Sequence, residues 1–311
     1  MNNLRKAMQQ YLEERRLLGF KLYQPGLLLS QFIRFLEGQG AAFTTKELAL
    51  RWATLPRNCH PAHWAKRLTV IRQFAQYLSA TDPRTEVPPQ SLLPYKYQRK
   101  QPYIYTEKQI LELINAAKKL NSGSGLRALT YSTFFGLLAV TGMRISESIG
   151  LNCEDVDLKE GVLIVRQTKL GKHRLIPIHT STAKALRNYV YRRDRIHPKA
   201  KAPSFFVAER GTRLTGCTVR WTFNLLSRQI GLRGPSDRFG PRIHDFRHTF
   251  AVRILQDWYR QGKDVEKHLP RLAMFLGHKH MNDTYWYLTA TPELLQLAVK
   301  RMTSSKGRIL S

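Results

Sequence analysis

Apolar residues recur at helical spacing through the first eighty positions of the chain. Leu4, Met8, Tyr11, Leu12 and Leu18 form one stripe that stops at Gly19; Leu28, Phe32, Phe35 and Leu36 form a second that ends at Gly38 and Gly40. Thr44 and Thr45 offer a cap for a third helix, which Pro56 stops, and Trp64, Leu68, Ile71, Ala75 and Leu78 stripe a fourth. The pattern predicts a small helical bundle over residues 1–82. From 83 to 103 it lapses. Pro83, Pro88, Pro89, Pro94 and Pro102 deny the backbone a helix, so this segment is expected to be an extended linker. Thr106-Glu-Lys-Gln109 then matches a capping box ahead of Ile110, Leu111, Leu113 and Ile114, and opens a second domain over 104–311. Its run from Leu129 to Val140 is apolar enough for a helix buried on most faces. Past Cys153 the period changes: Val162 to Val165 and Leu175, Ile176 and Ile178 flank a polar stretch, Gln167 to Lys172, which predicts a β-hairpin. Helical periodicity resumes near Ala183 and continues to the end. The expected fold is mainly α with a small antiparallel β-hairpin or sheet in the second domain.

Charge turns this generic helical chain into a specific one. Lys and Arg number 51 against 22 Asp and Glu among 311 residues, a formal charge of +29, with +10 on residues 1–100 and +19 on 101–311. A surplus of this size attracts polyanions, while 42% hydrophobic residues support a packed interior and exclude a disordered basic tail. Two basic bodies joined by a basic linker suggest a two-domain clamp that encloses double-stranded DNA. The candidate DNA-binding cations are Lys66, Arg67 and Arg72 in the fourth helix, Lys96, Arg99 and Lys100 in the linker, and Lys172 and Arg174 on the hairpin. The basic run from Lys184 to Lys201 reads equally as a phosphate grip or a solvated face. Cys59, Cys153 and Cys217 lie far apart, which excludes a zinc ribbon and a disulfide framework and points to a reducing compartment. The longest apolar stretch, Tyr131 to Met143, is too short to cross a bilayer, and the first residues lack an apolar signal core. A soluble cytoplasmic protein without a membrane partner is expected.

Three short motifs carry candidate chemistry. Cutting a phosphodiester without a metal requires cations on the non-bridging oxygens, a nucleophile, and an acid for the leaving oxygen. Thr141-Gly-Met-Arg-Ile-Ser-Glu147 places Arg144 at a glycine turn after the buried helix, from which a guanidinium reaches a phosphate bidentately, or pairs with Glu147. His244-Asp-Phe-Arg-His-Thr-Phe-Ala251 puts His244 and Arg247 on one helix face, where they bind an anion and move a proton, or cap the helix and pair with Asp245. Leu276-Gly-His-Lys-His280 and Asp283-Thr-Tyr-Trp-Tyr-Leu288 add an imidazole and two phenols, Tyr285 and Tyr287. A phenol suits attack on phosphorus because the aryl phosphodiester it forms keeps the bond energy needed for religation. Each motif alone has an ordinary structural explanation, from salt bridge to core aromatic. Their joint order is what makes them specific.

In that order and spacing the motifs resemble the signature of the tyrosine recombinase (phage integrase) family: Arg, a hairpin Lys, His-x-x-Arg, Leu-Gly-His, and a Tyr nine residues beyond that last His. The resemblance spans about residues 104–303 by motif, and the amino-terminal segment is similar to the family's core-binding domain in size, charge and position. The nine-residue spacing selects Tyr287 over Tyr285, and the stretch Thr168 to Pro177 places Lys169 at the hairpin position, with Lys172 as the alternative. The resemblance implies that Tyr287 attacks the phosphate while Arg144 and Arg247 hold its oxygens. It makes Lys169 the general acid, His244 a general base or relay, and His278 a phosphate donor. It further implies a 3′-phosphotyrosyl intermediate, no metal, ATP or other cofactor, and a homo-tetramer on two duplexes with a dimer on each site, open to partner recombinases. The helix from Pro292 to Met302, whose apolar face has nothing obvious to cover, is expected to dock on a neighbouring protomer. Arg247 and His278 stand somewhat farther apart than in compact members of the family, and the excess, Asp257 to Lys267, is expected to extend a helix end or form a protomer contact. The implied work is integration, excision or transposition of a mobile element. The alternatives are a type IB topoisomerase-like enzyme that relaxes supercoils as a monomer, and an accessory DNA-binding protein that cuts nothing.

Overall fold

A computed structural model describes residues 2–94, 101–166, 173–198, 203–237 and 239–306, with side chains as far as 301. The chain divides into two compact units, residues 1–100 and 101–311. Among the described residues no helix is long and apolar enough to cross a membrane.

The amino-terminal unit is built from α1 (Asn2–Leu17), α2 (Tyr23–Gly38), α3 (Lys46–Thr54) and α4 (Pro61–Leu78). Local chemistry sets its breaks. The Thr45 hydroxyl accepts the Leu48 N–H at 3.2 Å to start α3, and Pro61, whose missing donor costs nothing in a first turn, opens α4. The expected stripes meet inside: Leu29, Phe32, Ile33, Leu36, Trp52, Ile71 and Phe74 are buried in one cluster. Arg67 lies in this interior too. Its guanidinium stacks 3.6 Å above the Trp52 ring and donates to Trp52 O at 2.8 Å, which corrects its reading as a DNA-contacting cation. Lys66 is exposed and Arg72 half-exposed; Lys96, Arg99 and Lys100 lie outside the described residues.

The second unit begins with α5 (Glu107–Lys118), closed by the full capping box between Thr106 and Gln109. The apolar run becomes α6 (Leu126–Thr141), whose Phe134 and Phe135 pack with Phe205, Phe206, Phe223 and Phe246 at the centre of the main core. After α7 (Ile145–Gly150) comes a three-stranded antiparallel sheet, β1 (Val156–Asp157), β2 (Val162–Arg166) and β3 (His173–Pro177), with Leu163 opposite Ile176 and Val165 opposite Arg174. The predicted hairpin is β2 and β3, with the short β1 added at its edge, and its tip, with Lys169 and Lys172, lies outside the described residues. Helices α8 (Thr180–Ile196), α9 (Gly216–Gln229), α10 (Asp245–Arg260), α11 (Val265–Leu276) and α12 (Asn282–Tyr285) follow, then a 3-10 turn, Trp286–Thr289, and α13 (Pro292–Lys306).

Two long-range features position the site. Gly142 ends α6 at φ +60°, and a Cβ there would meet the Phe250 ring at 2.7 Å, so only glycine lets α6 end against α10. Phe250 stacks on Phe275 at 5.5 Å, which ties that junction to α11. A second cluster, Val252, Leu255, Leu269, Leu276 and Leu294, joins α10, α11 and α13. The apolar face of α13 is therefore partly covered within the chain: Leu294 is fully buried, while Leu295 and Val299 remain 47% and 57% exposed. The extra stretch, Asp257 to Lys267, ends α10, makes the turn beyond it and opens α11, and its Arg260 bonds Glu293 of α13 at 2.7 Å.

Candidate active site

An α-helix leaves its last carbonyls without donors from within the helix. At the end of α11 the chain turns through Gly277 at φ +66°, and the His278 N–H returns to Ala273 O at 2.9 Å. The carbonyls of Phe275, Leu276 and Gly277 face outside donors, and an arginine takes each. Arg174 Nε of β3 donates to Phe275 O at 3.0 Å, Arg247 of α10 to Leu276 O at 2.5 Å, and Arg144 to Gly277 O at 3.0 Å. The negative end of the α11 dipole favours this gathering of cations.

Glu147 balances the charge. It accepts two bonds from Arg174, at 2.9 and 2.7 Å, one from the Arg144 guanidinium at 2.7 Å and one from the Arg144 backbone N–H at 2.8 Å. Burial pushes the Glu147 carboxyl up, but the hydrogen bonds and charges of Arg174 and Arg144 outweigh it and hold the group at about 2. Arg174 is buried with a bond from each of its three nitrogens, so it too is corrected from DNA contact to a brace between sheet, α7 and α11. Arg144 remains 35% open at its side chain. Arg247 is 2% exposed and also donates to Gly142 O at 3.0 Å. Burial, with Arg144 beside it, lowers its guanidinium to about 10. Each of Arg144 and Arg247 has five N–H donors and uses some on the protein frame, which aims the rest.

Next along the chain, His278 Nδ1 lies 2.6 Å from the hydroxyl of buried Thr284, which fixes the imidazole. The Tyr287 ring stacks on it at 6.1 Å and 18°. Tyr287 is 1% exposed and Tyr285 is 47% exposed, so the 3-10 turn separates the two phenols that sequence left adjacent. The Tyr287 hydroxyl lies 3.0 Å from His248 Nδ1. His244 is exposed at the start of α10, its ring edge-on to His248 at 4.9 Å. Arg144, Arg247, His278 and Tyr287 are thus brought to one end of α11, and His244 joins them through His248. Sequence reasoning passed over His248; its place one residue after Arg247, on the same turn of helix, was the available signal. In α8, Lys184, Arg187, Arg192 and Arg195 are exposed, but Arg193 turns inward to Phe205 O at 2.8 Å. Among the described residues no group of three His, Cys, Asp or Glu side chains is arranged to hold a metal ion.

This mainly helical frame, with its small antiparallel sheet, is that of the tyrosine recombinases, enzymes that cleave and rejoin DNA. The chain belongs to the phage integrase family, whose model matches residues 104–293. It is 46% identical to "Putative integrase/recombinase y4rB" of Sinorhizobium fredii, across 97% of this chain and 98% of that one. It is 28% identical to tyrosine recombinase XerC of Chlamydia caviae, across 74% and 68%. Among solved structures, the Tn1549 transposon integrase in complex with circular intermediate DNA shares the fold at a TM-score of 0.62 and 18% identity, across 95% of this chain and 99% of that one. XerH recombinase bound to difH substrate does so at 0.63 and 16%, across 88% and 77%.

Proposed function

We propose that the chain is a site-specific recombinase that integrates, excises or transposes a mobile element through a 3′-phosphotyrosyl bond to Tyr287. The observation that carries this reading is the anchoring of Arg144 and Arg247 on successive carbonyls beside His278 and Tyr287. Two guanidiniums fixed on backbone carbonyls stabilise charge as it builds on the phosphate oxygens, because they need no reorganisation during the step. Tyr287 attacks phosphorus, the P–O5′ bond breaks, Lys169 protonates the leaving oxygen, and His278 donates to the phosphate. The 5′ hydroxyl of a partner strand then attacks the phosphotyrosine, which conserves bond energy without metal or ATP. The amino-terminal segment 1–82 and the catalytic segment 104–311, joined by 83–103, clamp the duplex, with exposed Lys66, half-exposed Arg72 and the linker cations on its phosphates. Whole-length similarity to an integrase/recombinase and likeness to a transposon integrase bound to circular intermediate DNA support the mobile-element role.

Covalent capture tests it. DNA attached to the protein in its host is recovered from wild type, Tyr287→Phe and Tyr285→Phe, and the attached ends are sequenced with divalent ions chelated. One discrete site that disappears only in Tyr287→Phe is the expected result. Adducts scattered over the genome would favour a type IB topoisomerase-like enzyme, and no adduct from abundant DNA-bound wild type would favour the accessory protein. The tetramer has its own check. Changing the exposed pair Leu295→Glu and Val299→Glu is expected to abolish synapsis of two duplexes while sparing cleavage on one, and intact tetramers on DNA would refute docking through α13.

A further inference from the structure

We infer that His248 is the proton acceptor of Tyr287. The inference rests on the reading of Tyr287 as nucleophile. A phenol ionises near pH 10, so at neutral pH the attacking oxygen needs a base within hydrogen-bond reach. His248 Nδ1 is that group: 3.0 Å from the Tyr287 hydroxyl, on a side chain only 6% exposed. The neighbouring imidazoles are placed for other work. His278 lies parallel to the phenol ring with its Nδ1 on Thr284, and His244 is exposed at the head of α10. Around His248 stand Tyr287 and Trp286 from the 3-10 turn, with ring centroids at 5.5 and 5.4 Å, and His244 from its own helix at 4.9 Å. Packing against these rings holds the imidazole in one orientation.

The step balances simply. With its ring proton on Nε2, His248 takes the phenol proton on Nδ1 as the Tyr287 Oη–P bond forms and the P–O5′ bond breaks. The departing 5′ oxygen receives its proton from the general acid assigned above. In religation the imidazolium returns the proton to Tyr287 as the phenolate leaves phosphorus. His244, to which the family resemblance gives the role of general base or relay, is then a relay at the rim.

The test uses the full chain and a duplex carrying the site recovered by covalent capture. Single-turnover adduct formation is followed from about pH 6 to about pH 10 for wild type and His248→Asn, with DNA binding and thermal unfolding as controls. A base of this kind is worth roughly a hundredfold or more, so His248→Asn is expected to fall by that factor near neutral pH. The deficit is expected to shrink as pH rises, and a fluorinated tyrosine at position 287, which ionises more readily, is expected to relieve it. A deficit that stays constant across pH and resists the fluorinated phenol would make His248 a packing residue, and no deficit would remove it from the step; either overturns the inference. If His248→Asn unfolds, the fluorinated protein with His248 intact decides: an acid limb that stays in place supports His248, and one that moves down with the phenol refutes it. Absence of any wild-type adduct would instead defeat the nucleophile reading.

Discussion

Both units bury arginines, and two of these, Arg67 and Arg247, are treated in opposite ways. Arg67 lies flat on Trp52 with a single bond to the Trp52 carbonyl, and its buried Nε meets no acceptor among the described residues. Burial lowers its guanidinium. It behaves as a large flat hydrophobe that carries a charge. Arg247 is just as hidden, yet it is held by two carbonyls from two different helix ends, and Arg174 by a carboxylate and a carbonyl. The difference separates filling space from aiming a charge. A stacked guanidinium can slide on its ring, whereas one bonded to two rigid backbone acceptors has a fixed direction.

The largest expected break in this contrast is Arg247→Lys. It keeps the charge but loses the fork, and cleavage is expected to fall roughly 10²–10³-fold in single-turnover assays with DNA binding retained. A loss below tenfold would mean that charge suffices without aim. Next comes Glu147→Gln, which leaves Arg174 and Arg144 without their counter-ion. Because Glu147 titrates at about 2 when folded against 4.5 ordinarily, the carboxylate contributes about 3 kcal/mol above pH 4.5, lost as pH falls toward 2. Denaturant unfolding is therefore expected to separate wild type from variant at neutral pH, with the gap closing in acid; a gap independent of pH would refute the pairing. Gly142→Ala, forced to φ +60° and into Phe250, is expected to cost about 1–3 kcal/mol and to weaken cleavage, since the Gly142 carbonyl also holds Arg247. The smallest effect belongs to Arg67→Met, expected to change the unfolding free energy by less than about 1 kcal/mol because the lost bond to Trp52 O and ring contact are offset by relief from burying a charge. A large loss there would erase the distinction.

Much of the fold was legible because it is written in side-chain periodicity. The capping box at Thr106, the stop at Gly19, the buried run of α6 and the two strands around the polar stretch are local patterns that need no knowledge of their partners. Of the two phenols the family resemblance implies Tyr287, and the 3-10 turn leaves Tyr287 buried and Tyr285 exposed. What sequence missed was set by distant backbone. Arg67 and Arg174 read as surface cations because the carbonyls that accept from them belong to other helices, and a carbonyl carries no residue-type signal. His248 escaped notice for a related reason. It is one more histidine in a helix until the turn after α12 folds back and sets a phenol against it. The burial of Leu294 by α10 and α11 was hidden in the same way, so α13 looked emptier than it is.

The meeting of three arginines at Phe275, Leu276 and Gly277 also has a consequence in time. On the ribosome Arg144, Arg174 and Arg247 emerge before the carbonyls that orient them. A nascent chain halted ahead of Phe275 has the cations, Glu147 and the Gly142 carbonyl, but not the row of carbonyls that completes their aim, so the assembled cluster waits on the residues from Phe275 onward.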